Sequence, residues 1–206
     1  MLNNTVVATS DASIRIVLRE NLRDNYRNDP ETAIFEELGV AHGAARVDIA
    51  VINGIMHGYE VKSDLDTLRR LPEQMNIYNS VFDKVTLIVG STHLITAFKE
   101  IPEWWGVETA RVDENGTVFF NKIREPNNNP QQQKISIARL LWRHEALDKL
   151  EKLGRADGVR SKPREAIYER LAESLELEPL KKYVRSVLQH SRQDWRSGVR
   201  LTLCGD

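Results

Sequence analysis

The sequence predicts an α/β fold with a central sheet flanked by helices, followed by an all-helical C-terminal domain. Residues 1–125 alternate short strand-like apolar runs with helical ones, which is the pattern of a layered α/β domain. Residues 134–206 carry apolar stripes at helical spacing. The polar stretch EPNNNPQQQ lies between these two parts. We therefore expect an α/β domain at 1–125, a linker at 126–133 and a helical, basic domain at 134–206.

Each element of the first part has its own signal. Ser10 and Asp11 begin a helix whose apolar residues recur at helical spacing to about Tyr26. Two more helices are predicted at 66–80, where Pro72 either kinks the helix or opens a second one, and at 92–100. Alternating or continuous apolar runs predict strands at 32–40, 45–52, 58–62 and 84–90. A closing hairpin is predicted from 107–112 and 116–123.

Composition excludes several classes of protein. The formal charge of −1 excludes a chain that is basic throughout. This charge is a sum of opposed parts, with 13 basic and 19 acidic residues in 1–133 but 16 basic and 11 acidic residues in 134–206. The single cysteine, Cys204, excludes an internal disulfide and a cysteine-based zinc site. Because no apolar run approaches the ~18 residues of a membrane span and the first residues do not resemble a leader, we expect a cytoplasmic protein without membrane contact.

The segment RVDIAVINGIMHGYEVKSD, residues 46–64, holds the candidate site. Asp48 interrupts an apolar strand, where a buried carboxylate is unfavourable unless its charge is compensated. A metal ion would compensate it. Glu60 and Lys62 are separated by one residue, so both point to the same face of the next strand. Two carboxylates and an ammonium group would then converge.

The loop between these two strands decides whether they converge. A two-residue loop at Asn53 and Gly54 would place Asp48 and Glu60 on opposite faces of the sheet. A three-residue loop, Ile52-Asn53-Gly54 with Gly54 left-handed in a bulge, places Asp48 opposite Gly58 and on the face of Glu60. We predict this loop, or another one of the same parity.

Asp48 followed by Glu60-x-Lys62 on the next strand resembles the PD-(D/E)XK nuclease superfamily. Gln74-x-x-x-Tyr78 on the following helix is similar to the additional motif of its RecB-like branch. The string EELGVAHGAARVDIAVINGIMHGYEVKSDLDTLRRLPEQ, with IPEWWG later, resembles small bacterial and phage proteins of that superfamily that have no assigned role. The resemblance covers about residues 11–110. Val47 stands where the superfamily often has proline.

The resemblance implies a restriction-endonuclease-like mixed sheet and Mg²⁺- or Mn²⁺-dependent hydrolysis of phosphodiester bonds. Asp48 and Glu60 would bind the metal, and Lys62 would orient the attacking water or stabilise charge on the phosphate. Members usually add an upstream acid, for which Glu37 is the first candidate and Glu36 and Glu20 stay open. Gln74 and Tyr78 share a helical face and would frame the site or contact the nucleic acid.

The expected partner is nucleic acid, with DNA favoured over RNA, and a homodimer is left open. A basic series near the C-terminus predicts phosphate contacts, although a solvated helix face explains it equally well; the series comprises Lys181, Lys182, Arg185, Arg192 and Arg196. Two other interpretations stay open. One is a non-catalytic module that binds nucleic acid or protein on the same fold, and the other is a regulatory protein that acts through its acidic half.

Overall fold

The computed structural model describes residues 8–191. Its six strands are β1 (Ala33–Val40), β2 (Ala45–Ile52), β3 (Met56–Lys62), β4 (Lys84–Gly90), β5 (Gly106–Val112) and β6 (Val118–Arg124). Its seven α-helices are α1 (Asp11–Asn25), α2 (Leu71–Asn79), α3 (Leu94–Glu100), α4 (Lys134–Ala138), α5 (Arg143–Lys152), α6 (Arg164–Ser174) and α7 (Leu177–Ser191). Within these residues no helix is both long and apolar enough to cross a membrane.

The strands form one mixed sheet in sequence order, β1 to β6. β1, β2 and β3 are antiparallel neighbours, β3, β4 and β5 run parallel, and β6 is antiparallel to β5. The helices α2 and α3 are the connections between the parallel strands, as such pairs require. The predicted fold class, a mixed sheet flanked by helices with a helical C-terminal part, is confirmed.

Each face of the sheet is covered by different helices. α1 packs Ile14, Leu18 and Leu22 on one face of the sheet. These apolar residues recur every four positions, so they form the side of the helix that is buried. The opposite face is covered by α2, α3 and the C-terminal helices, which bury the larger of the two hydrophobic clusters. Side chains from helices on either face can therefore reach a residue at a point where the pairing between two strands ends.

The α2 helix begins later than the pattern predicts. Residues 63–70 form a loop in which Asp66 accepts hydrogen bonds from the backbone and hydroxyl of Ser63. Pro72 lies in the first turn of α2, the position where its missing N–H costs nothing. Of the two alternatives for Pro72, the structure therefore has the one in which it opens a new helix.

The hairpin between β2 and β3 has the predicted parity but a different register. Ile52 pairs with Met56, so the three loop residues are Asn53, Gly54 and Ile55. The Asn53 side chain accepts a hydrogen bond from the backbone of Ile55 and shapes the turn. The expected left-handed Gly54 is wrong, because Gly54 does not have a positive φ.

The C-terminal helices share the hydrophobic cluster of the sheet. Ile167, Leu180 and Val184 belong to the same buried cluster as Val85 and Leu87 of β4. Residues 126–133 form a loop without helix or strand, and the Asn129 side chain donates to the carbonyls of Asn79 and Phe82, both at 2.7 Å. The division into 1–125, 126–133 and 134–206 stays a prediction, but the described part of the helical segment is packed on the sheet.

Candidate active site

The Glu60 carboxylate is fixed by three donors. It is only 1% exposed. Its Oε1 accepts from Lys62 Nζ (2.5 Å) and Gln74 Nε2 (2.6 Å), and its Oε2 accepts from the Tyr78 hydroxyl (2.8 Å). Gln74 and Tyr78 lie one turn apart on α2 and so present both groups to β3. The structure brings all four predicted residues together.

Asp48 lies beside Glu60, at a point where the sheet opens. The pairing between β2 and β3 ends at Ile49 and Tyr59, and Asp48 and Glu60 are the next residues along the two strands. Asp48 Oδ2 accepts a hydrogen bond from the backbone N–H of Val61 at 2.7 Å. The carboxylate therefore takes the place of a backbone partner, and the two acidic residues share one site.

The proximity of the two carboxylates changes the protonation of Asp48. Burial and the negative charge of Glu60 raise the pKa of Asp48 to about 7, against the opposing effects of Arg15, the Val61 amide and Lys62. Burial and Glu60 also raise the pKa of the Tyr78 hydroxyl above its ordinary value. Tyr78 is thus held as a neutral donor to Glu60.

Arg15 of α1 joins Asp48 to Glu37. Its guanidinium makes an ion pair with Asp48 Oδ1 at 2.5 Å and another with Glu37. Glu37 has a left-handed φ of 55° inside β1, and it falls between the paired residues Glu36–Ile49 and Leu38–Val47. A non-glycine residue in this conformation is strained, and such strain clusters at functional sites.

The structure favours Glu37 among the three candidate upstream acids. Glu37 lines the same cavity as Asp48 and Glu60. Glu36 instead lies near Arg19 and Arg23, at 3.5 and 3.9 Å, and Glu20 is exposed on α1. Neither of these two lines the cavity.

The cavity has a volume of about 370 Å³. Four basic side chains line it, Arg15, Arg46, Lys62 and Arg70, together with six acidic ones, Asp11, Glu37, Asp48, Glu60, Asp66 and Glu73. Gln74 also faces it, and its buried Oε1 has no hydrogen-bond partner. An excess of acidic groups and an unpaired acceptor favour a cationic ligand.

The donors fit Mg²⁺ or Mn²⁺ bound mainly through water. Residues 8–191 contain no group of three or more His, Cys, Asp or Glu side chains placed to hold a metal ion. Mg²⁺, however, is commonly held by one or two carboxylates and keeps several of its waters. Asp48 and Glu60 supply these two carboxylates, and Arg15 pairs with both Asp48 and Glu37.

The predicted basic surface on α7 is only partly as expected. Lys181 is buried and its ammonium lies 2.5 Å from Asp83 and 2.6 Å from Glu178, so it does not fit a phosphate contact. Lys182 is exposed and Arg185 is half-buried. Arg192 and Arg196 lie outside the described residues.

The similarity to known proteins extends over nearly the whole chain. The family model described as bacteriophage P4 protein cII matches residues 6–198. This chain belongs to the bacteriophage P4 protein cII family. A curated cII relative, protein cII of Enterobacteria phage P4, is 30% identical over 124 residues. That match covers 60% of this chain and 47% of the relative, so the chain spans about half the length of this cII protein.

A solved structure also resembles this cII family member. It is a protein of unknown function from Silicibacter pomeroyi, 18% identical, with a TM-score of 0.41. The match covers 73% of this chain and 94% of that one.

Sequence patterns did not reveal Arg15. Its only sequence signal is an Asp11 four residues earlier, which matches an ordinary surface ion pair on a helix. The side chain matters because it pairs with Asp48, next to the end of the pairing between β2 and β3. That contact depends on how α1 packs on the sheet, which local spacing does not encode.

Proposed function

We propose that this protein is a metal-dependent nuclease of the PD-(D/E)XK type that hydrolyses phosphodiester bonds in nucleic acid. The supporting observation is the meeting of Asp48, Glu60 and Lys62, from two adjacent strands, at the opening between those strands. The three residues have the chain order that the superfamily resemblance implies. Within the proposal DNA is favoured over RNA, the location is cytoplasmic, and a homodimer stays an expectation.

Each residue of the site would have a separate role in the reaction. Mg²⁺ or Mn²⁺ would supply a more acidic bound water and stabilise negative charge on the phosphate. Asp48 and Glu60 would hold the ion, and Gln74 and Tyr78 keep the Glu60 oxygens in place. Lys62 is buried and donates a hydrogen bond to Glu60, a position that suits it to orient the attacking water and to face the developing charge.

Cleavage assays with matched variants test this proposal. Supercoiled plasmid, single-stranded DNA and RNA are incubated with the protein in Mg²⁺, Mn²⁺ or EDTA. We expect cleavage that needs metal and falls by roughly 10²-fold or more in Glu60→Gln and Lys62→Met. Glu36→Gln, one residue from Glu37 but outside the cavity, is the control and should cleave normally. Absence of cleavage by the unaltered protein, or equal cleavage by all variants, would contradict the proposal.

One observation favours a second candidate, a non-catalytic nucleic-acid-binding module. Arg15 already neutralises Asp48 and Glu37, which are the acids that a metal ion would otherwise compensate. Binding without cleavage, unchanged in Glu60→Gln and Lys62→Met, would support this alternative.

A further inference from the structure

A second cavity adjoins the candidate active site. It has a volume of about 540 Å³ and shares Glu37, Gly43 and Arg46 with the first cavity. One wall is the turn between β1 and β2, and the other is formed by the connection from α4 to α5 and by the first half of α6. We call this second cavity the lateral groove. A ligand lying in it would run directly into the opening that holds Asp48 and Glu60.

The lateral groove is strongly basic. Four arginines line it, namely Arg46, Arg139, Arg143 and Arg164, and Glu37 is its acidic lining residue. Arg139 is neutralised by Glu165, which also binds His42 and so ties the β1–β2 turn to α6. Among residues 8–191, Arg143 and Arg164 have no carboxylate within ion-pair distance. Their charges remain available to an anionic ligand.

An aromatic side chain lies among these charges. Trp142 is 45% exposed, although it is large and apolar, and it lines the groove next to Arg143. The local structure keeps it there, because the backbone N–H of Trp142 donates to Glu145 at the start of α5. Cationic groups that follow a backbone, beside an aromatic ring on which a base can stack, are the features of single-strand binding surfaces.

We propose that the lateral groove binds single-stranded nucleic acid and leads it to the candidate active site. Arg46, Arg143 and Arg164 contact successive phosphates, and Trp142 stacks on an unpaired base. A duplex fits less well, because its bases are already stacked on each other and cannot reach the Trp142 ring. This inference rests on the proposed function for the reaction, but the binding itself needs neither metal nor cleavage.

Binding in EDTA tests the groove separately from catalysis. Fluorescence anisotropy is measured with labelled oligothymidylate, oligouridylate and a DNA duplex over a range of salt concentrations. We expect tighter binding of the single strands than of the duplex. Trp142→Leu should weaken single-strand binding about tenfold. The double variant Arg143→Gln/Arg164→Gln should weaken it at least as much and lower the salt slope by about 2.

The matched control removes the same charge from elsewhere. Lys99→Gln/Arg111→Gln changes exposed residues on α3 and β5, outside the groove, and should bind like the unaltered protein. Thermal unfolding of each variant checks its fold. Arg143 donates to the carbonyls of Arg160 and Lys162, so its substitution can disturb the fold. In that case Arg164→Gln alone tests the groove. Glu60→Gln should bind normally, which separates a failed groove from a failed nuclease.

Several results would overturn the proposal. They are normal binding by the groove variants, an equal loss in the Lys99→Gln/Arg111→Gln control, tighter binding of the duplex, or complete competition by an acidic peptide. Equal affinity for the DNA and RNA strands would support a groove that recognises the phosphate backbone and the base faces, which both strands share. A preference for one strand would also support the groove and would identify its substrate.

Discussion

At the scale of single residues, Asp48 gives a distinctive dependence of stability on pH. Its pKa is raised to about 7 in the folded chain, mainly by burial and by Glu60, against 3.8 in the reference state. Between these values the unfolded chain loses a proton that the folded chain keeps. Stability therefore falls as pH rises from about 4 to 7, by at most about 4 kcal/mol for a shift of this size.

His57 titrates in the opposite sense. It stacks on Tyr59 and bonds to the Thr86 hydroxyl, and burial followed by the charge of Lys84 lowers its pKa to about 3. Between pH 3 and 6.5 the unfolded chain binds a proton that the folded chain does not. Stability therefore rises with pH in this window. The two effects oppose each other between about pH 4 and 6.5.

We expect single substitutions to separate the two effects. Urea unfolding in EDTA is measured at pH 4.5 and pH 7. On raising the pH, Asp48→Asn should gain stability relative to the unaltered protein, by roughly 2–4 kcal/mol, because its destabilising ionisation is removed. His57→Gln should lose stability relative to the unaltered protein over the same interval. Parallel profiles for all three proteins would contradict both assignments.

Sequence spacing predicted which residues of the site meet, but not what surrounds them. The spacing of Glu60 and Lys62, the lone Asp48 and the spacing of Gln74 and Tyr78 are local signals, and the structure brings these five residues together. Like Arg15, the lateral groove was not predicted from the sequence. Its arginines come from segments about 100 residues apart, so no local window contains the pattern.

At the scale of elements, the strands were predicted well because their apolar pattern is local. The bounds of β2 and β4 are those predicted, and the predicted loop parity holds between β2 and β3. The register of that hairpin was off by one paired position on each strand, because the turn is shaped by the Asn53 side chain rather than by a left-handed Gly54. Alternation fixes the face of a residue but not its partner.

The left-handed Glu37 in β1 gives an element-scale prediction. Glycine adopts a positive φ without the penalty that a Cβ carries, so Glu37→Gly should be more stable than Glu37→Ala by roughly 0.5–1 kcal/mol. Both variants lose the same ion pair with Arg15, so their difference isolates the backbone. Urea unfolding measures it.

The neighbouring residue supplies the control for this comparison. Glu36 pairs with Ile49 and does not have a positive φ, so Glu36→Gly should be less stable than Glu36→Ala. The sign of the difference should thus reverse between adjacent positions. The same sign at both would show that Glu37 carries no backbone strain.

At the scale of the whole molecule, charge and composition suggested two units, and the structure shows how the described parts pack. The opposed charges of 1–133 and 134–206 and the polar stretch between them are sequence features. The shared hydrophobic cluster could not be predicted from the sequence, because the apolar stripe of a helix does not indicate which surface it packs against. Lys181 illustrates this difference, since it lies in a basic run but points to Asp83.

The buried pair of Lys181 and Asp83 links α7 to the start of β4. Asp83 also accepts a hydrogen bond from the backbone of Met56 at 2.7 Å, so its carboxylate connects α7 with β3 as well. Removing the ammonium leaves a buried charge without its partner, which costs about 3 kcal/mol or more. Both the helix and the strands should therefore respond to a change at Lys181.

We expect Lys181→Met to destabilise the molecule by about 3 kcal/mol, whereas Lys182→Met on the exposed side of α7 should change stability by less than about 0.5 kcal/mol. Hydrogen exchange by mass spectrometry should show lower protection in β4 and α7 together for Lys181→Met. Asp83→Asn in the same chain should restore part of the loss, because the uncompensated charge is then gone. Loss of protection in α7 alone would mean that the helices unfold independently of the sheet, and the shared core would then not make the molecule cooperative.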